Sequence, residues 1–302
     1  MSETKGPEYF NRLSGRIEHE SVYGEAWLDW AYNRPLGRLT VELAAKRTWF
    51  SRWYGWRMSR RASAKKVVPF IRKYGLDIAE MQLPPDHFAS FNDFFSRRLK
   101  PEARPIDPDP ATVVFPADGR HLGFANVAQT DRFYAKGQRM DLAKLLGDRA
   151  LAGRYEGGSM LISRLCPVDY HRFHYPAEGV PGDTLPINGD LYSVNPVCLR
   201  RRLSVLWENK RTLTGLQTER FGQILCLEVG ATCVGSIVQT HVPGQYTPKG
   251  GEKGYFRFGG SMCITLFEPG AVTLAADLLE HSTAGRELYA RMGDVAGRAA
   301  SA

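Results

Sequence analysis

The sequence predicts an α+β protein, with a helical N-terminal part packed on a mostly antiparallel β core. Two observations carry this prediction. The first hundred residues are amphipathic, with aromatic residues at helical spacing. Beyond a cluster of prolines the texture changes to short apolar runs punctuated by glycine. Two regions are therefore expected, 1–107 and 108–302.

Taken in order, Trp49, Trp53 and Trp56 stand at i, i+4 and i+7, which places them on one helical face. From Lys46 to Lys73 there are ten Lys or Arg and no Asp or Glu. A helix lying in a membrane surface needs this pairing, with rings at headgroup depth and cations drawn to anionic lipid. The bland alternative is a stripe packed on the protein's own core beneath solvated charges. No nucleic-acid motif accompanies the basic segment, so nucleic acid is not an expected partner. Leu83-Pro-Pro-Asp-His-Phe88 breaks the helical pattern, and Ser90 is placed to cap a short helix over residues 91–95. Pro101, Pro105, Pro108 and Pro110 mark a linker. Strands are expected at Thr112–Pro116, Ser159–Leu165, Ile224–Val229, Cys233–Thr240 and Cys263–Phe267. One helix is expected over Asp141–Leu151 and a closing helix over Ala275–Arg291.

At 302 residues, 43% hydrophobic and 24% charged, the chain can bury a substantial core. Its net charge of +8 favours anionic partners. The five cysteines form no CxxC pair, which points to reduced thiols in a cytosolic compartment. The first residues lack the apolar stretch of a signal peptide, and no apolar run reaches the length of a membrane span. Any membrane contact is expected to be peripheral.

The chemistry concentrates in three segments. Ser261 stands behind Gly259 and Gly260 and before an apolar run. Glycine admits strained backbone and leaves its carbonyl open, so this serine can attack the carbonyl of Gly260 and cut the chain. A hydroxyl needs a base to take its proton; histidine suits that task near neutral pH, and a carboxylate can orient it. Asp118 follows an apolar strand and precedes Gly119, where a carboxylate can turn into a cleft. His171 and His174 lie between Pro167 and Pro176. On an extended strand they face opposite ways, whereas a helical turn after Pro167 brings them to one side. The pair lacks the HExxH spacing and a third ligand, so no metal is expected.

These segments resemble the phosphatidylserine decarboxylases nearly end to end. Phe115-Pro-Ala-Asp118-Gly119 is similar to the family's acidic motif, Leu165-Cys-Pro-Val-Asp-Tyr-His171-Arg-Phe-His174 to its histidine motif, and Gly260-Ser261-Met-Cys-Ile-Thr-Leu-Phe to its self-cleavage site. Further matches are Tyr23-Gly24, Asn92-Asp-Phe-Phe95 before Arg97-Arg98-Leu-Lys-Pro, Leu191–Pro196 and Val229–Ile237. The resemblance implies a triad of Asp118, His174 and Ser261 for self-cleavage, and His171 for decarboxylation. It implies a β chain, 1–260, that stays associated with an α chain, 261–302, and a homodimer. It implies a covalent pyruvoyl cofactor made from Ser261, which takes phosphatidylserine from an anionic membrane as a Schiff base and yields phosphatidylethanolamine and carbon dioxide. The enzyme would lie peripherally at the cytoplasmic face of the cell membrane.

Gly157-Gly-Ser-Met160 repeats the tetrapeptide Gly259-Gly-Ser-Met262, so Ser159 is a rival site; the run Cys-Ile-Thr-Leu-Phe follows only the second copy, which favours Ser261. Met262 stands where relatives usually carry a small hydroxylated residue, and it is read as an apolar filler. Three rival readings remain: a pyruvoyl decarboxylase of a soluble amino acid, a hydrolase with the same Asp–His–Ser set, and a non-catalytic binder of anionic lipid. The absence of a Gly-x-Ser-x-Gly elbow counts against the hydrolase.

Overall fold

The computed structural model describes residues 6–20, 48–128, 140–199, 202–231, 236–258 and 261–300, with the backbone alone at 48–50, 52, 196 and 197. Tyr23, Gly24, Trp27, Trp30, Cys233, Gly259 and Gly260 lie outside the described residues.

The strands, in chain order, are β1 Glu8–Asn11, β2 Arg16–His19, β3 Thr112–Val114, β4 Gly119–Phe124, β5 Met160–Leu165, β6 Arg172–His174, β7 Val180–Pro181 and β8 Leu185–Ile187. They continue with β9 Arg211–Gln217, β10 Gln223–Val229, β11 Ile237–Gln239, β12 Glu252–Phe256, β13 Ser261–Leu266, β14 Val272–Leu274, β15 Glu287–Ala290 and β16 Val295–Ala299. Ten of them form one sheet in the order β2-β1-β15-β4-β5-β13-β10-β9-β7, with β8 also on β9. Every pairing in it is antiparallel except β1 with β15. Two small sheets, β11-β12-β6 and β14-β16-β3, complete the β structure.

Alternation decides what each face of the large sheet buries. Met262, Ile264 and Leu266 of β13 join Leu225, Leu227 and Val229 of β10 and Met160 and Ile162 of β5 in one core. Leu161, Ile224 and Cys226 face the other way, into a second core with Phe115, Leu278 and Leu288. Ser261, Cys263 and Thr265 share that second face by register. There Cys263 meets Leu165, Phe173 and Phe256, the last two from the β6 and β12 strands of the covering sheet.

The helices are α1 Thr48–Ser59, α2 Val67–Tyr74, α3 Phe91–Phe95, α4 Leu142–Leu146, α5 Arg149–Tyr155, α6 Pro196–Leu199, α7 Val205–Glu208 and α8 Ala276–Thr283. Met58, Phe70, Ile71, Phe91, Phe94 and Phe95 bring α1, α2 and α3 together around Phe258, the residue that leads into Gly259. Ser90 caps α3 as expected, its hydroxyl accepting from Asp93 N–H at 3.1 Å.

Several expectations are corrected. Residues 8–19 fall in the part read as helical, but they form a hairpin that joins the large sheet; Gly15, at φ 66°, supplies the left-handed turn. Asp141–Leu151 is two helices, because Gly147 at φ 69° ends α4. The closing helix stops at Thr283, and after Gly285 at φ 73° the chain returns as β15. The proline-marked linker is tied down as well: Pro101–Ala103 forms a 3-10 turn and Arg104 is buried.

Gly119 explains its own identity. A Cβ there would lie 2.5 Å from the carbonyl oxygen of Arg164 on the neighbouring strand, so β4 and β5 approach too closely for any side chain. Gly119→Ala should therefore lower stability by about 1–3 kcal/mol, the usual cost of forcing a methyl into packed structure. Urea unfolding checks this, and an unchanged midpoint would refute the close-approach argument.

Candidate active site

Ser261 opens β13 in the middle of the large sheet, opposite Leu165 of β5. It is completely buried, and its hydroxyl has no hydrogen-bond partner among the described residues. Buried polar groups are nearly always satisfied, and leaving one bare costs on the order of 1–3 kcal/mol. The rival serine differs: the Ser159 hydroxyl donates to Val272 O at 3.3 Å. Met262 is fully buried in the core on the opposite face of the sheet, so its side chain lies away from the Ser261 hydroxyl.

His174 ends β6, in the small sheet that covers the Ser261 face. A cavity of about 10 Å³ lies between His174 and the side chains of Glu228, Cys263 and Thr265, and β13 alternation puts Ser261 on that same side. Its Nδ1 lies 2.9 Å from the Gly250 carbonyl, which can only accept, so Nδ1 carries the proton. In the neutral ring Nε2 then holds the lone pair, 3.3 Å from the Tyr170 hydroxyl. Burial pushes the His174 pKa below the ordinary imidazole range, which keeps the ring neutral at pH 7.

His171 is held apart from His174. A turn does form after Pro167, with Asp169 N–H donating to Cys166 O at 2.9 Å, but it ends before the histidines and the chain runs on extended. The His171 ring lies tilted against Phe95 with centroids 3.8 Å apart, and its Nδ1–H donates to Asp169 O at 3.0 Å.

Asp118 sits at the start of β4, where it accepts two hydrogen bonds from Arg104 Nε and one of 2.6 Å from Arg104 Nη2, and another from Met292 N–H at 2.9 Å. Among the described residues no hydrogen bond joins Asp118 to His174. Arg104 carries no signal in the sequence, where it lies among the prolines of the expected linker.

Other partners were also missed. Asp169 accepts from Arg120 at 2.7 Å and from Cys166 N–H at 2.6 Å, which fixes the loop carrying His171. Asn92 accepts from Phe258 N–H at 2.7 Å and donates to Gly55 O and Ser59 Oγ on α1 at 3.1 and 2.9 Å. That one side chain ties α1 and α3 to the segment entering the Gly-Gly-Ser sequence. Lys253 and Glu228 form a buried ion pair at 2.7 Å on the Cys263 side. The four cysteines described, Cys166, Cys198, Cys226 and Cys263, are buried and free of disulfides.

The family model described as phosphatidylserine decarboxylase matches residues 91–297. The phosphatidylserine decarboxylase proenzyme of Chlamydia pneumoniae is 43% identical over 292 residues, 97% of each chain. That of Clostridium kluyveri is 43% identical over 290 residues, covering 96% of this chain and 98% of the relative. That of Chlamydia muridarum is 44% identical over 290 residues, 96% of each chain. With that extent and identity, the chain belongs to the phosphatidylserine decarboxylase family.

Proposed function

We propose that the chain is a self-processing decarboxylase that converts phosphatidylserine to phosphatidylethanolamine and carbon dioxide. The observation that carries this reading is the buried hydroxyl of Ser261, without a partner among the described residues, on the His174 side of the sheet. His174 Nε2 takes the hydroxyl proton, and the oxygen attacks the carbonyl of Gly260. The peptide C–N bond breaks, the proton passes to the freed nitrogen of residue 261, and an ester remains. Removal of the Cα proton of residue 261 then expels the Gly260 carboxylate and cuts the chain. Hydrolysis with loss of ammonia turns the new terminus into a pyruvoyl group. Asp118 contributes through its charge, which favours the imidazolium as it forms, rather than through a hydrogen bond to the ring.

The donor set suits this group: the precursor is a bare hydroxyl at a strand start, shut away from water by two sheets. When present, the pyruvoyl group supplies a ketone that condenses with the substrate amine and accepts the electron pair left by carbon dioxide. His171, its Nδ1–H anchored on Asp169 O, takes up a solvent proton at Nε2 and, as the imidazolium, delivers it to the carbon that carried the carboxylate. The two fragments stay together because β13 pairs with β5 and β10, and β15 with β4, across the cut.

Residues 1–107 are assigned the membrane contact. On α1, Trp53 is 47% and Trp56 58% exposed, with Arg57 and Arg60 over their rings at 5.7 and 4.9 Å. Exposed indoles beside guanidinium groups suit an anionic headgroup layer and favour a lipid substrate over a soluble amino acid. Among the described residues no helix is long and apolar enough to cross a membrane.

The purified Ser261→Ala protein should run as one uncut chain and release no carbon dioxide, whereas Ser159→Ala should be cut normally; an uncut but active Ser261→Ala protein would sink the reading. His171→Ala should still be cut but decarboxylate at least about a hundredfold more slowly.

Self-cleavage also carries a pH signature. The base must be neutral, and its pKa lies below the usual 6.5, so the rate should be flat from neutral pH upward. It should fall only as acid protonates the ring below that range. A rate still climbing between pH 7 and 8 would exclude His174 in this environment as the base.

Replacing Trp53 and Trp56 together by Ala should weaken co-sedimentation with phosphatidylserine vesicles by at least about tenfold, the loss expected from two partly inserted indoles. Undiminished binding would remove α1 from the lipid contact.

A further inference from the structure

Arg97, just beyond α3, is almost completely buried, yet its guanidinium is poorly used. Nη2 makes two long hydrogen bonds, to Val168 O at 3.3 Å and Asp169 O at 3.4 Å. Nε and Nη1 are buried and find no partner among the described residues, and the group lies 5.0 Å from the Phe94 ring centroid. The carboxylates closest in charge are already engaged, Asp118 by Arg104 and Asp169 by Arg120. Burial lowers the Arg97 pKa to about 10, so the group stays charged at neutral pH. A buried cation with two idle donors is a costly feature unless an anion arrives to meet it.

Its position indicates which anion. The Asp169 carbonyl that accepts from Arg97 also accepts from His171 Nδ1, so the guanidinium stands beside the proposed proton donor. A phosphatidylserine headgroup offers a carboxylate and a phosphodiester, a few bonds apart. A cation on the carboxylate would stabilise the reactant more than a transition state that is losing its charge as carbon dioxide, and so would slow the reaction. The phosphodiester keeps its charge throughout. We propose that Arg97 is the receptor for the phosphodiester of the substrate headgroup. This assignment rests on the decarboxylase reading above.

Contacts equal in reactant and transition state appear in KM and leave kcat alone. Processed Arg97→Gln enzyme, assayed on phosphatidylserine in mixed micelles, should show KM raised about tenfold or more with kcat within about threefold of wild type. Titration calorimetry should show glycerophosphoethanolamine, which has no carboxylate, bound about tenfold more weakly. Inhibition by free serine, which has no phosphate, should be unchanged, and Arg97→Lys should recover part of the lost affinity. Weakened serine with unaltered glycerophosphoethanolamine would place the carboxylate on Arg97 and overturn the assignment. A loss in kcat alone would reduce Arg97 to a brace for the His171 loop. Should Arg97→Gln fail to fold or to cut itself, wild-type enzyme still decides: glycerophosphoethanolamine must bind more tightly than ethanolamine, and equal affinities refute the proposal. A wild-type protein that releases no carbon dioxide from phosphatidylserine fails at the earlier step and is recognised as such.

Discussion

A buried hydroxyl that finds no hydrogen-bond partner among the described residues, at the first residue of a strand paired on both sides, is the constraint around which this molecule is built. Ser261 could be satisfied by a small local shift if the segment were loose. It is held by β5 on one side, by β10 against the rest of the strand on the other, and by the small sheet above. The chain before it is gripped as well, because Phe258 finds its backbone acceptor in the Asn92 side chain and its aromatic partners in Phe91 and Phe95. A bare buried hydroxyl persists only where the surroundings outweigh it, and the cores on both faces of β13 supply that stabilisation.

The second layer of organisation is ionic. Arg164 pairs with Glu20 and with Glu287, and Arg120 reaches Glu20 at 3.5 Å and Asp169 at 2.7 Å. Burial opposes ionisation of Glu20, but the two guanidinium groups prevail and hold its pKa at about 2. Breaking such a pair from one side strands a buried charge and costs about 3–5 kcal/mol. The network also has a direction. Glu20, Arg120 and Arg164 precede residue 261 and Glu287 follows it, so under the proposed cut the Arg164–Glu287 pair would span the two pieces. The Met292 N–H that donates to Asp118 would span them as well. The proposed processing at this point would change the chain locally while these contacts hold the packing in place.

Much of this was legible in the residue order. The strands at Thr112, Ser159 and Ile224 announce themselves by apolar runs, and the histidine motif and Gly-Gly-Ser carry the resemblance to the family. What escaped depends on distant partners. β1 and β2 carry no apolar alternation of their own and become strands because β15 offers an edge. Arg104 looks like part of a linker until Asp118 is seen folded against it. The Asp118 carboxylate, expected to orient His174, is engaged by that guanidinium and by Met292 N–H, partners that spacing cannot reveal. The bare nitrogens of Arg97 are likewise invisible in sequence, where it is one cation among many in a basic region.

The repeated tetrapeptide shows most directly how tertiary context separates two identical sequences. Gly157-Gly-Ser-Met160 and Gly259-Gly-Ser-Met262 have the same local freedom, and each serine meets a strand of the large sheet. Around the first copy the backbone of Phe267 closes in: a Cβ on Gly158 would lie 2.1 Å from Phe267 O, and Phe267 N–H donates to Ser159 O. The Ser159 hydroxyl has an acceptor in Val272 O. Packed and satisfied, that serine gains nothing by attacking its neighbour. Ser261 has no such acceptor among the described residues and faces the side of a neutral imidazole whose lone pair is set by Gly250 O. Glycine permits the strained approach at either copy, but a hydroxyl becomes a nucleophile only where its proton has somewhere to go.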